Sequence, residues 1–197
     1  WNPGTEQEIF DLAELITAFD LSKVSKSGAK FDFEKGKWFN QNYLRGLSQN
    51  QLASELKREL DNSGLTYKEE FLGKVASMMS ERATFSKDLM TEGMFLFQAP
   101  VEYDEKTRKK KWRQESAQMM QDLVNRFVDL KDFTEGPVEE AFKNYLSEND
   151  LGFGKVGPSF RLAVTGKGMG PSMFVICEVL GKEEVIERIK KAIRVLG

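Results

Sequence analysis

Apolar residues recur at three- and four-residue spacing through most of the chain, and strict apolar–polar alternation is nearly absent. A period near 3.6 predicts amphipathic helices and a period of two predicts strands, so the pattern reads as helix after helix. "TEQE" at Thr5–Glu8 has the form of a capping box, and Ile9, Phe10, Leu15, Ile16 and Phe19 follow at helical spacing. "FDFEKGKWFNQNYL" carries Trp38, Phe39, Tyr43 and Leu44 on one side. "SQNQ" at Ser48 opens a helix with Leu52, Leu56 and Leu60, which ends near Gly64. "TYKE" at Thr66 predicts a further cap, with Phe71, Leu72, Val75, Met78 and Met79 inward. "FQAPVEYDEKTRKKKW" then predicts a loop between two helical units. A long helix follows from about Trp112, burying Met119, Met120, Leu123, Val124 and Phe127. Gly136-Pro137 opens the next, with Val138, Ala141, Phe142 and Tyr145 inward. The last helix starts at about Lys182 and buries Val185, Ile186, Ile189 and Ile193. The expected product is an all-α protein without internal repeat, folding as a helical monomer in which each helix buries its own apolar face.

Composition narrows the functional classes. The 197 residues have room for one domain or two small ones, and 40% hydrophobic with 30% charged residues fits a folded chain. No run approaches the roughly 18 apolar residues of a membrane span. No signal peptide is visible, and a chain opening on Trp1 reads as a piece of a longer protein. The single cysteine, Cys177, rules out an internal disulfide and points to a reducing, cytoplasmic compartment. It lies in the apolar run "MFVICEVL" and reads as a small core residue. The absence of histidine excludes a Ser-His-Asp triad, a Cys-His pair and most zinc sites. Net charge is -2, so any attraction to nucleic acid must be local.

Basic residues concentrate in two places. Six lie between Lys106 and Arg113 with no acid among them, and the bland reading is a solvated face. The second is sparser: Leu151–Cys177 contains no acid but holds Lys155, Arg161 and Lys167. It coincides with "RLAVTGKGMGPSMF", a stretch that resembles a phosphate-cradling loop. A Walker loop fails, because Lys167 is followed by Gly168 and not by a hydroxyl residue. A dinucleotide loop fails too: Gly166, Gly168 and Gly170 are spaced G-x-G-x-G, and although "FRLAV" could be a strand, no βαβ unit surrounds it. Gly170-Pro171 instead reads as a helix start with proline at its first position, leaving the amides of Ser172, Met173 and Phe174 as free donors. With Arg161 and Lys167 nearby, this is a seat for a phosphate or an unstacked base, or a plain helix–loop–helix corner.

"KVSKS" at Lys23–Ser27 imitates the K-M-S-K-S signature of class I aminoacyl-tRNA synthetases, but that signature needs a histidine-containing partner that this chain lacks. The flanking sequence is more specific. Residues 1–44, "WNPGTEQEIF…KWFNQNYL", resemble the segment after the catalytic K-L-S-K-R loop in bacterial glutamyl-tRNA synthetases. "FRLAVTGKGMGPSMFVICEVLGKEEVIERIKKAI" is similar to that family's closing segment. Residues from about 65 to 155 match by order and length more than by motif. Gly36 departs from the family's usual leucine.

The resemblance implies an all-α, C-terminal, anticodon-binding part of a class I synthetase. Residues 1–46 would end the stem-contact region and connect it onward. Residues 47–98 and 99–197 would be the first and second helical anticodon-binding subdomains. The parent would use ATP and magnesium to attach glutamate to tRNA(Glu), in sites outside this piece. The piece itself would hold no cofactor, catalyse nothing and select the tRNA. The family's anticodon-reading positions fall on Arg82, Arg161, Gly170, Pro171 and Met173, while Lys109, Lys110, Lys111 and Lys167 are candidates for phosphate contacts. Two rivals stand beside this reading: a generic helical RNA- or protein-binding scaffold, and a nucleotide-dependent enzyme.

Overall fold

The computed structural model describes residues 1–28, 30–65 and 67–197. Among these it contains twelve α-helices, two single 3-10 turns and no strand. They are α1 (Leu12–Ala18), α2 (Phe33–Arg45), α3 (Gln49–Ser63), α4 (Leu72–Ser80), α5 (Ser86–Glu92) and α6 (Met94–Phe97). After them come α7 (Glu105–Lys111), α8 (Ser116–Asp129), α9 (Glu135–Glu148), α10 (Phe153–Thr165), α11 (Met173–Leu180) and α12 (Lys182–Leu196).

α3 forms as its sequence dictates. The Ser48 hydroxyl accepts from the Gln51 N–H and the Gln51 side chain accepts from the Ser48 N–H, so two orphan donors are satisfied at once. Gly64, at φ 70°, closes the helix in the left-handed region that glycine enters without a Cβ clash. Leu52, Leu56 and Leu60 are all buried against α4 and α5. Each such leucine contributes about 1.5–3 kcal/mol. The later helices pack as a second group, with α8, α10 and α12 in mutual contact, α9 on α11 and α7 on α10. Phe142 and Phe160 stack at 5.3 Å at its centre, with Phe127 beside Phe160 at 5.7 Å. α6 touches both α5 and α11, and the buried apolar side chains run as one cluster from Leu44 to Leu196.

Two polar ties cross between the groups. Glu178 on α11 pairs with Lys74 on α4 and accepts the Glu135 N–H at 2.8 Å. Arg188 on α12 is 3% exposed. It donates to Glu184 at 2.7 Å and to the carbonyls of Phe95 and Val164 at 2.5 and 3.1 Å.

Several sequence expectations are corrected. The first capping box is Asp11–Glu14 and not Thr5–Glu8: Asp11 and Glu14 exchange both hydrogen bonds at 2.8 Å. α1 does not bury its apolar face, since Leu12, Ile16 and Phe19 are exposed, and Trp38 and Tyr43 on α2 are nearly half exposed. The segment read as a loop before Trp112 contains α7, because Asp104 caps it by accepting from Thr107 and its basic last turn suits the helix dipole. The helix expected from Trp112 starts at Ser116, whose hydroxyl accepts from the Arg113 N–H and bends the chain there. "FRLAV" is helix and not strand; α10 is buried on nearly all sides, which erased its period, and it carries Pro158 inside. The cap expected at Thr66 lies outside the described residues. "KVSKS" is a surface segment in which Lys23 donates to the Pro3 carbonyl at 3.0 Å.

Candidate functional site

The glycine stretch links α10 to α11, and its root is fixed by backbone. Gly166 is left-handed at φ 71°, and a Cβ there would lie 2.6 Å from the Glu102 carbonyl. That close approach lets the Gly166 carbonyl accept the Asp104 N–H at 2.8 Å. Thr165 donates its hydroxyl to the Arg161 carbonyl at 2.8 Å and accepts the Lys167 N–H at 3.1 Å. Beyond this root the loop opens to solvent, and Met169 is 83% exposed.

Two arginines from different helix groups meet the far side of this loop. Arg161 projects from α10 and donates Nη2 to the Pro171 carbonyl at 2.8 Å. Arg82, just past the end of α4, donates Nη2 to the Gly170 carbonyl at 3.3 Å. Arg161 Nη1 is buried and has no hydrogen-bond partner among the described residues. A Cβ on Gly170 would lie 2.9 Å from that nitrogen, so glycine leaves the guanidinium its place. Burial first, and then the charge of Arg82, pulls the Arg161 pKa below its usual value. A guanidinium nonetheless stays charged, so the cost is held as an unfilled donor beside a like charge. Such an arrangement suits a planar, acceptor-bearing ligand.

The start of α11 differs from expectation. The N-cap is Ser172, whose hydroxyl accepts from the Val175 N–H at 3.5 Å, and the helix begins at Met173. Pro171 therefore precedes the helix by two residues, because its carbonyl is directed to Arg161. Among the described residues, the amides of Met173 and Phe174 have no partner. The Met173 side chain is 3% exposed and belongs to the core, so only its backbone faces outward chemistry. Cys177 is fully buried, and burial pushes its thiol pKa up, which leaves it an inert packing group.

α7 divides its lysines between two faces. Lys106, Lys110 and Lys111 line a cleft of 290 Å³ with Asp104, Thr107, Gly168 and Met169, on the near side of the same loop. Lys109 sits on the other face with Arg108, Trp112 and Leu196, and pairs with Glu105 at 2.9 Å. The run Lys109–Lys111 is thus not one contact surface. Lys167 is exposed at the loop's edge. Sequence reasoning passed over Arg188 and Glu178. Arg188 had a signal: it lies three residues after Val185 and one before Ile189, on the inward face of α12. Among the described residues no group of three or more Cys, Asp or Glu is placed to hold a metal.

Residues 50–193 match the sequence model of a family described as an anticodon binding domain. The chain belongs to the anticodon-binding domain family. Similar curated relatives are the glutamate–tRNA ligases of Flavobacterium johnsoniae and Phocaeicola vulgatus, each 42% identical over 196 residues. The chain is covered completely in both matches but spans only 39% of either relative's length. A crystal structure of a glutamate tRNA ligase from Elizabethkingia meningosepticum, in complex with its amino acid, superposes with a TM-score of 0.93 at 40% identity. It too is matched over 100% of this chain and 39% of its own. A glutamate-tRNA synthetase from Elizabethkingia anophelis gives a TM-score of 0.88 at 38% identity. In the anticodon-binding family's helical frame, the loop at Gly166–Ser172 is the place where both helix groups present arginine.

Proposed function

We propose that this chain reads the anticodon loop of tRNA(Glu) as the RNA-selecting part of a glutamate–tRNA ligase. The observation that carries the reading is the meeting of Arg82 and Arg161 at the carbonyls of Gly170 and Pro171, with Arg161 Nη1 buried and unpartnered. An unstacked base offers the acceptor edge and the flat face that such a fork takes. The Met173 and Phe174 amides at the start of α11 add donors at the positive end of a helix. Arg82, Arg161, Gly170, Pro171 and the Met173 backbone form the reading set, and Lys106, Lys110, Lys111 and Lys167 meet phosphate. The division into subdomains at 98/99, the connector role of residues 1–46, a monomeric state and a cytoplasmic location belong to the same proposal. ATP and magnesium are then handled by the part of the ligase outside this chain. For membranes the relevant observation is narrower: no helix among the described residues is long and apolar enough to cross one.

Arg161→Ala tests the reading. Charging by the full-length ligase is compared on tRNA with the native anticodon and with its first two bases replaced. Loss of a base-directed arginine lowers the discrimination ratio by about tenfold to a hundredfold. An unchanged ratio, with all tRNAs charged equally less well, rejects a base-reading role and favours a generic RNA-binding scaffold.

A further inference from the structure

The cleft between α7 and the Gly168–Met169 turn opens to solvent, with Met169 exposed at its wall. Its lysines are not occupied: Lys106, Lys110 and Lys111 form no ion pair among the described residues, whereas their neighbour Lys109 does. Its one acid is occupied. Asp104 Oδ1 accepts the Thr107 N–H at 2.7 Å, and Lys106 and Lys167 lie close enough to hold its carboxyl further below the usual range. The wall opposite α7 is Met169, an apolar side chain 83% exposed between a lysine-rich helix and a two-arginine loop. Packing within the chain does not explain that exposure. Gly168 lies close against α7: a Cβ there would meet the Thr107 hydroxyl, which would have to turn away. Met169 and Pro171 are two residues apart and therefore within about 7 Å. One strand crossing the loop would meet both sides.

We propose that this cleft seats one nucleotide next to the bases read at Arg82 and Arg161, its phosphate on Lys106, Lys110 and Lys111 and its base against Met169. The proposal rests on the anticodon reading of the neighbouring arginines and extends recognition by one nucleotide outside the triplet. A thioether is polarizable, packs on an aromatic ring and tolerates any base, so this contact adds affinity without selecting sequence. Compact ammonium groups on flexible stems match phosphate as point charges. The cleft thus supplies the sequence-independent hold, and the arginines supply the choice.

The test uses the full-length ligase and an anticodon stem-loop RNA in which each loop nucleotide in turn is made abasic. Met169 is exposed, so Met169→Ala leaves the fold intact, as circular dichroism will verify. Met169→Ala is expected to weaken binding about two- to tenfold. One abasic position outside the triplet should weaken it similarly, and the two losses together should not add. Lys110→Ala with Lys111→Ala should lower the slope of log affinity against log salt by about two, with triplet preference kept. Losses that add at every position outside the triplet, or an unchanged salt slope, overturn the proposal. Inorganic phosphate at matched ionic strength should displace RNA no better than chloride. If it displaces RNA specifically, and the double lysine variant abolishes that effect, the cleft is a free-phosphate site and the nucleotide is rejected. If Arg161→Ala loses triplet discrimination while Met169 couples to no nucleotide, the cleft alone fails. If Arg161→Ala keeps discrimination, the anticodon reading fails and takes the cleft's assignment with it.

Discussion

Arg188 and Arg161 both project from helices of the second group, and the protein treats them in opposite ways. Arg188 is almost wholly buried, with Nε on Glu184 and Nη1 on the carbonyls of Phe95 and Val164. It fastens α12 to α6 and α10. Arg161 has one donor on Pro171, one buried donor with no partner, and another arginine next to it. Arg161 and Arg82 tie the loop through the Pro171 and Gly170 carbonyls, but the empty donor and the like charge add nothing to that tie. A buried arginine whose donors meet acceptors contributes to the fold; a buried donor left empty costs the fold something, and the proposed reading places a ligand there.

The sharpest way to break this comparison is stability. Arg188→Ala strips the donor from two buried carbonyls, each costing about 1–3 kcal/mol when orphaned, so a loss of about 2–5 kcal/mol is expected in denaturant melts. Arg161→Ala should move the same midpoint by less than about 1 kcal/mol, since it also removes a like-charge contact. Equal losses from the two variants would erase the distinction.

A finer cut moves Arg161 without removing it. Gly170→Ala places a Cβ 2.9 Å from Arg161 Nη1, which must shift while the backbone stays put. Anticodon discrimination should fall about three- to tenfold, less than for Arg161→Ala, because a displaced fork keeps its charge and loses its aim. Thermal stability should barely change. A variant with native discrimination would show that the fork's position is not critical.

Glu178 probes how the two groups are held so that Arg82 and Arg161 can meet. Lys74, and then the Glu135 N–H, hold its carboxyl below the usual carboxylate range. A lowered folded-state pKa stabilises above the unfolded value near 4.3 and is lost as pH falls through the folded value. Glu178→Gln should therefore lie below the native protein by a constant margin from pH 5 upward, with the margin closing on acidification below that. Denaturant midpoints across pH 3–7 measure it, and a margin independent of pH would detach Glu178 from the junction. The smallest effect belongs to Lys109→Ala. Its pair with Glu105 is 74% and 80% exposed, so the denaturant midpoint should not measurably move and the salt slope should change by less than for Lys110 or Lys111.

Much of the helical order was legible in the sequence because local rules suffice for it. Ser48 to Gly64 carries its own start, stripe and stop, and α3 occupies that span. The stripes at Met119–Phe127 and Val185–Ile189 put the residues named from their periods into the core. Failures cluster where local signals compete or vanish. Thr5–Glu8 and Asp11–Glu14 both offer a capping box, and only the second is used. α10 is apolar on most sides and contains Pro158, so neither its period nor its residue types announced a helix.

The site divides in the same way. Its residue types were readable: a glycine-rich loop, an arginine in an acid-free stretch, and a basic run. Sequence also implied that Cys177 is core, a property of a few neighbouring residues, whereas it put Pro171 at the first helical position and the helix starts two residues later. Only the tertiary structure decided that Arg82, 88 residues before Gly170, donates to its carbonyl. It alone decided that Lys109 lines a different cleft from Lys110 and Lys111, that Met173 turns inward, and that Arg161 keeps a donor without a partner among the described residues. The reason is physical. Periodicity and capping act over one or two helical turns, whereas which donor finds an acceptor, and which stays empty, is settled only when helices far apart in sequence pack against each other.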